Sequence, residues 1–220
     1  VSQEAILLRH AAPGPGQARR LLVMLPGAGM AAEDFAANGL VGALHERHED
    51  IDVIAVRLPL ELYLDGQAAD CLHRTVIEPA LAQGYAQIWL LGISLGGMGA
   101  LSYAALHEDL VAGLVLLAPF LGTPGTIAGI AAAGGLPHWT PGEVTTAPEA
   151  RVLEWLKDFI ARQQVLPKLY LGYGEADRFA RGHRLLGALL PPAQVVTRPG
   201  GHDWESWAAL WRLMLDAGLF

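Results

Sequence analysis

The sequence predicts an α/β fold: a mostly parallel sheet of about seven strands with helices on both faces. Three observations carry that reading. Short apolar runs of strand length alternate with longer helix-compatible segments, the pattern of parallel strands joined by crossover helices. The 220 residues are 52% hydrophobic and 17% charged, enough to bury one substantial core, so a single domain over residues 1–220 is expected. The apolar run Ile88–Leu91 passes straight into Gly92-Ile93-Ser94-Leu95-Gly96 and then into a helix-compatible stretch.

The elements follow in chain order. Ala5–Leu8 is a first strand, and Ala12-Pro13-Gly14-Pro15-Gly16 is a turn that returns it toward the second, making it antiparallel to its neighbour. Leu21–Leu25 is the second strand, and Glu33–Glu46 is a helix leading to a third strand at Asp52–Val56. A helix over Ala68–Ala82 precedes the fourth strand, Ile88–Leu91, and the helix Leu95–Leu106 leads to the fifth, Leu114–Ala118. Phe120–Pro148 is richer in Gly, Ala, Thr and Pro and breaks the alternation, so 120–148 reads as a short cap passing over one face after the strand ending near Pro119. In Glu149–Gln163, the residues Val152, Leu153, Trp155, Leu156, Phe159 and Ile160 recur at helical spacing, which predicts a helix packed on the sheet. Leu169–Leu171 and Gln194–Thr197 are the last strands, with helices at Phe179–Leu190 and Trp204–Leu215.

Bulk chemistry excludes several classes of function. A net charge of −7, with no basic cluster longer than Arg19-Arg20, gives no general attraction to nucleic acid or anionic membrane. Apolar stretches are interrupted well short of the roughly 20 residues needed to span a bilayer, so no stable membrane insertion is expected. Val1–His10 carries Glu4, no basic start and only a short apolar run, which is unlike a secretory signal. Cys71 is the single cysteine, which rules out an internal disulfide and a cysteine-rich metal site. A cytoplasmic location is the expectation from these features.

In an open parallel sheet, reactive groups collect where strands end and loops begin on the carboxyl side. Three such loops hold the right chemistry. Ser94 follows the fourth strand, Tyr173-Gly174-Glu175-Ala176-Asp177 follows the sixth, and Pro199-Gly200-Gly201-His202 follows the seventh. A serine is a poor nucleophile at neutral pH, so it needs a base to take its proton and a carboxylate to orient that base. Ser94, Asp177 and His202 supply these roles in the order Ser–Asp–His.

Through its Gly-x-Ser-x-Gly elbow, post-strand acid and late histidine, the chain resembles the α/β-hydrolase superfamily over nearly its whole length. The ending Gly201-His202-Asp203-Trp204-Glu205-Ser206-Trp207 is further similar to bacterial carboxylesterases of that fold. The resemblance implies a serine hydrolase acting on small-molecule carboxylic esters or thioesters through an acyl-enzyme, with no cofactor and no metal. It also implies backbone donors for the oxygen that becomes negative: Leu95 N–H beside the nucleophile, and one from Leu25-Pro26-Gly27-Ala28-Gly29, with Ala28 first and Gly29 next. Where the family often has His-Gly, this chain has Pro26-Gly27, which removes a bracing side chain and leaves the backbone donors.

Plainer readings stand beside these. With 26 glycines and four serines, independent draws give a Gly-x-Ser-x-Gly in roughly one such chain in twenty, so the flanking strand and helix carry the reading. Ser94 could instead sit in a turn that packs closely or binds an anion. Glu175 competes with Asp177 for the acid, and Asp203 is a third choice better suited to the first turn of the terminal helix. Trp204, Trp207 and Trp211 share one helical side and fit a core stripe. His10, His45, His48, His73, His107, His138 and His183 fall mostly in solvent-facing or loop contexts, and the His45/His48 pair has no converging carboxylates to make a zinc site. Gly27-Ala28-Gly29 lacks the remaining features of a dinucleotide or nucleotide loop. A binding protein that keeps the scaffold without catalysis, or a same-fold perhydrolase or lyase, is the alternative function.

Overall fold

The computed structural model describes residues 5–16, 19–162 and 167–220. Its strands are β1 (Ile6–His10), β2 (Arg20–Leu25), β3 (Ile51–Arg57), β4 (Gln87–Ile93), β5 (Gly113–Leu117), β6 (Lys168–Gly174) and β7 (Val195–Arg198). They form one seven-stranded sheet in the order β1-β3-β2-β4-β5-β6-β7. All neighbouring pairs are parallel except β1 with β3, where Leu8 faces Ala55. The first strand is antiparallel as expected, but its neighbour is β3 and not β2. The Pro13–Gly16 turn therefore carries the chain past β3, with Gly14 N–H donating to Glu49 O at 2.9 Å.

Nearly every residue of β2, β4 and β5 is buried, because helices cover both faces of the sheet and leave no wet side. The helices are α1 (Asp34–Ala37), α2 (Leu40–His45), α3 (Leu60–Leu64), α4 (Ala68–Leu72), α5 (Glu78–Ala82), α6 (Leu95–Leu106), α7 (Pro124–Ala132), α8 (Ala147–Ala161), α9 (Ala180–Gly187) and α10 (Trp204–Asp216). On one face α6 packs between α4 and α8, and on the other α2 packs against α10. The helix expected over Glu33–Glu46 is broken at Gly39, which adopts φ 76° and separates α1 from α2. The segment expected as one helix over Ala68–Ala82 includes a π turn at His73–Ile77 between α4 and α5. Gln163, the last residue of the expected Glu149–Gln163 helix, lies outside the described residues.

Two helices begin for identifiable reasons. Thr146 accepts from the Glu149 N–H while the Glu149 carboxylate accepts from the Thr146 N–H, a reciprocal cap that starts α8. Asp203 is the N-cap of α10 and accepts from Ser206 N–H at 2.8 Å; it sits just before the first turn rather than within it. Trp207 and Trp211 are fully buried while Trp204 is half-buried, so the tryptophan stripe serves the core, and Trp211 Nε1–H donates to Leu40 O at 2.9 Å. Among the described residues no helix is long and apolar enough to cross a membrane.

The strand order places β3 on one side of β2 and β4 on the other, so the chain reverses its direction of travel across the sheet between β2 and β4. Loops leaving the carboxyl ends of these two strands diverge and leave a crevice. Trp211, fully buried, ties α10 to α2. Truncating it should cost about 3–5 kcal/mol, and urea unfolding of Trp211→Ala should show this as a lower midpoint with an unchanged slope.

Candidate active site

Ser94 is the hinge between β4 and α6, with φ 52° and ψ −114°. A non-glycine residue held there stores roughly 1–3 kcal/mol of strain, and such strain persists only where neighbours over-determine it. They do so here. Ser94 N–H donates to Leu117 O at 3.1 Å, and Ser94 O accepts from Phe120 N–H at 2.8 Å and Gly97 N–H at 3.0 Å. The flanking glycines follow from contact distance: a Cβ on Gly92 would lie 2.3 Å from Gly96 O, and one on Gly96 would lie 2.0 Å from Leu25 O. No side chain fits at either position while β2, β4 and α6 keep this approach.

The acid loop leaves β6 at Gly174, whose added Cβ would meet Gly200 O at 2.3 Å, so the loops after β6 and β7 are pressed together. Glu175 N–H donates to Arg198 O at 2.8 Å and Ala176 N–H to Gly200 O at 3.0 Å, which laces the loops before the side chains meet. His202 Nδ1 then lies 2.7 Å from Asp177 Oδ2, and His202 Nε2 lies 3.0 Å from Ser94 Oγ. Glu175 is exposed and Asp203 caps α10, so it is Asp177 that the structure brings to His202. The imidazole is wedged edge-on between Phe179 at 5.1 Å and Trp207 at 5.0 Å.

Burial alone would raise the Asp177 carboxyl. The hydrogen bond from His202, the Phe179 N–H at 2.8 Å and the nearby imidazoles outweigh it, and its pKa is lowered. A carboxylate held ionised against a buried imidazole orients its ring and stabilises it when charged.

On the β2 side, Pro26, Gly27, Ala28, Gly29 and Met30 line a cavity of about 60 Å³ together with Leu95, Arg57 and Tyr63. Ala28 and Leu95 thus share one cavity wall, and a Cβ on Gly27 would stand 3.3 Å from Ser94 Cβ. Leu95 opens α6, so its N–H has no intrahelical acceptor. Met30 replaces a polar brace in this loop: its Sδ accepts from Gly27 N–H at 3.2 Å. On the β6 side, a cavity of about 150 Å³ is bounded by Pro119, Leu121, Ile127, Arg178, Phe179 and Arg181. A further concavity of about 980 Å³ lies around Gln87, Ala112 and Lys168 at the amino ends of the strands, and Ser94 is not among its lining residues.

His183 corrects the sequence reading. It is fully buried, not solvent-facing, because α9 turns Ala180, His183 and Leu186 inward together. Its Nε2–H donates to Pro119 O at 2.9 Å, and its ring lies against Tyr173. Pro119 precedes the Phe120 N–H that holds Ser94, so His183 braces the same strand end from the acid's own helix. The spacing of Ala180, His183 and Leu186 was the available signal; Tyr63 was missed because α3 is too short to show a period, and Arg57 because it lies one residue past the apolar run that marked β3. His45 Nε2 is satisfied by Ile51 O at 3.1 Å, and among the described residues no cluster of three or more His, Cys, Asp or Glu could hold a metal ion.

Replacing His183 by Phe strands the buried Pro119 carbonyl and should cost about 1–3 kcal/mol in urea unfolding. Burial also lowers the His183 pKa against the opposing pull of Pro119 O and Asp177, so the fold disfavours its charged form. The resulting stability is complete above the unfolded histidine value of about 6.5 and falls as pH drops below it. His48 and His107, lowered first by burial, act in the same direction. The unfolding free energy should therefore decline from pH 7.5 to 5.5, and less steeply in His183→Gln.

The sequence matches the family model described as alpha/beta hydrolase fold over residues 66–202. No curated protein sequence matches it. Among solved structures it is similar to Est1E from Butyrivibrio proteoclasticus, at 17% identity and TM-score 0.64 over 98% of this chain and 95% of that one. A structure described as ferulic acid esterase shares 15% identity at TM-score 0.66, covering 97% of this chain and 98% of that one. The Staphylococcus aureus fluorophosphonate-binding serine hydrolase F shares 15% identity at TM-score 0.58, covering 98% and 99%. At such identities the structures speak for the fold, and together with the family match over more than half of its length they show that this chain belongs to the α/β-hydrolase superfamily.

Proposed function

We propose that the protein is a serine hydrolase that cleaves carboxylic esters or thioesters through an acyl-enzyme, using its own groups and water. One observation carries the reading: the hydrogen-bonded line from Ser94 Oγ through His202 to Asp177, at 3.0 and 2.7 Å, starting from a strained strand-to-helix turn. Solved structures of similar fold described as an esterase and a serine hydrolase favour the same chemistry.

In this mechanism the His202 Nδ1–H donates a hydrogen bond to the Asp177 carboxylate, which stays ionised, while Nε2 accepts the Ser94 proton as Oγ attacks the carbonyl carbon. The carbonyl oxygen takes the negative charge and is met by Leu95 N–H and Ala28 N–H, fixed donors that need no reorganisation. Protonated His202 then gives its proton to the departing alkoxide or thiolate. Water repeats the sequence on the acyl-enzyme and releases the acid. Phe179 and Trp207 keep the imidazole at its post and exclude water from its faces. The early part of 120–148, from Phe120 to Ile127, serves as a wall of the substrate crevice in this reading, since it both holds Ser94 and bounds the 150 Å³ cavity.

Ser94→Ala should lower kcat/KM for 4-nitrophenyl butyrate by at least about 10³-fold while the protein stays folded by circular dichroism. Full activity in that variant would overturn the reading. Asp177→Asn should cost about 10²- to 10⁴-fold, mostly in kcat, whereas Glu175→Gln should stay within about threefold, because a surface change away from the reacting groups has little leverage. A fluorophosphonate probe should label the native wild-type chain at Ser94, and a folded chain that takes no label would point to a binding protein instead.

A further inference from the structure

Beyond the site of bond cleavage, the crevice holds two arginines with no assigned task. Arg178 and Arg181 bound the 150 Å³ cavity whose floor is Leu121, Pro124, Ile127 and Phe179. Arg178 stands over the Phe179 ring, its guanidinium carbon 4.9 Å from the centroid, and its side chain is exposed. The same Phe179 ring faces His202 on its own account, and Pro119 of this cavity adjoins Phe120, whose N–H holds Ser94. The cavity thus shares the Phe179 ring with His202, whose Nε2 reaches Ser94 Oγ.

Among the described residues neither arginine has a carboxylate within ion-pair distance, although the chain carries a net charge of −7. Two acidic groups beside the cavity are already committed. Asp177 is held by His202 and Phe179 N–H. Glu149, behind Gly122, accepts from Thr123 N–H, Thr126 Oγ1–H and Thr146 N–H. What remains is a short apolar pocket with two unneutralised cations at its rim, and the group that satisfies both features is a short chain ending in an anion. A planar carboxylate suits paired guanidinium edges and fits the small volume.

Resting on the serine-hydrolase reading above, we propose that the substrates are esters or thioesters bearing a carboxylate a few carbons from the scissile carbonyl, and that Arg178 and Arg181 select them. The arginines act on binding and not on bond cleavage. Their effect therefore falls mainly on KM, and it weakens with added salt because both are exposed.

Two matched substrate pairs test this and show which half of the substrate carries the charge. On the acyl side, 4-nitrophenyl hydrogen adipate is compared with 4-nitrophenyl hexanoate, each corrected for its spontaneous hydrolysis. On the alcohol side, 4-carboxyphenyl acetate is compared with phenyl acetate. The expected result is a preference of about tenfold or more in kcat/KM for the carboxylated member of at least one pair. Arg181→Gln and the double change Arg178→Gln, Arg181→Gln should erase that preference through KM, and Arg181→Glu should turn it toward 4-nitrophenyl 6-aminohexanoate. Neutral members favoured in both pairs, or a preference that survives the double change, would overturn the proposal while leaving the hydrolase reading intact. Absence of turnover and of fluorophosphonate labelling would instead remove the hydrolase reading. The pocket is then judged by calorimetry: monomethyl adipate should bind the Ser94→Ala protein and fail to bind when Arg178 and Arg181 are also changed to Gln, and equal binding to both would sink the assignment.

Discussion

The backbone of Ser94 is held at φ 52° from both sides, by Leu117 O accepting its N–H and by Phe120 and Gly97 N–H groups donating to its carbonyl. Strain of this kind costs roughly 1–3 kcal/mol, and three hydrogen bonds with net values of about 0.5–1.5 kcal/mol each offset it. The balance holds only while β5 keeps its place beside β4. That in turn requires the strand end at Leu117–Phe120 to stay fixed, and His183 fixes it through Pro119. The geometry of Ser94 therefore depends on a chain of contacts running from β4 through β5 to α9, the helix that follows Asp177.

The same economy governs the loops. Gly96 against Leu25 and Gly174 against Gly200 are approaches at which a single Cβ would collide with backbone oxygen. The first brings the β2 loop, with Ala28, up to the serine; the second brings the acid loop up to the histidine. Side-chain chemistry is thus placed by backbone-to-backbone contact. A backbone contact is stiffer than one between flexible side chains, and this suits a reaction in which misplacement by an ångström is costly.

Much of this was legible in the sequence. The seven apolar runs became the seven strands, and Ser94, Asp177 and His202 each stood just past a strand end in a loop rich in glycine, where the physical reason for the residue type is local. The neighbour of β1 was not legible, because strand adjacency is decided by long-range packing, and a turn signal at Pro13–Gly16 says only that the chain bends. Nor was α7, whose Gly125 and Gly129 lower helix propensity and hide a helix started by the Thr123 cap. His183 escaped for a different reason: a histidine on an apolar helical face was weighed as a surface residue, although its spacing from Ala180 and Leu186 already placed it inward. Loop spacing favours Asp177 over Glu175, and in the structure Asp177 Oδ2 lies 2.7 Å from His202 Nδ1 while Glu175 is exposed.

His202 follows β7, a strand of four residues at the margin of the sheet with no fully buried residue. Margins fray first, at free energies well below that of global unfolding. The imidazole is kept in line by the Asp203 cap, the grip of Phe179 and Trp207, and the lacing to the acid loop, while the serine rests deep in the central strands. Ser94 thus sits at the end of a central strand and His202 just past an edge strand. Mild heat or denaturant would therefore loosen His202 from Ser94 before the central strands that carry the serine give way.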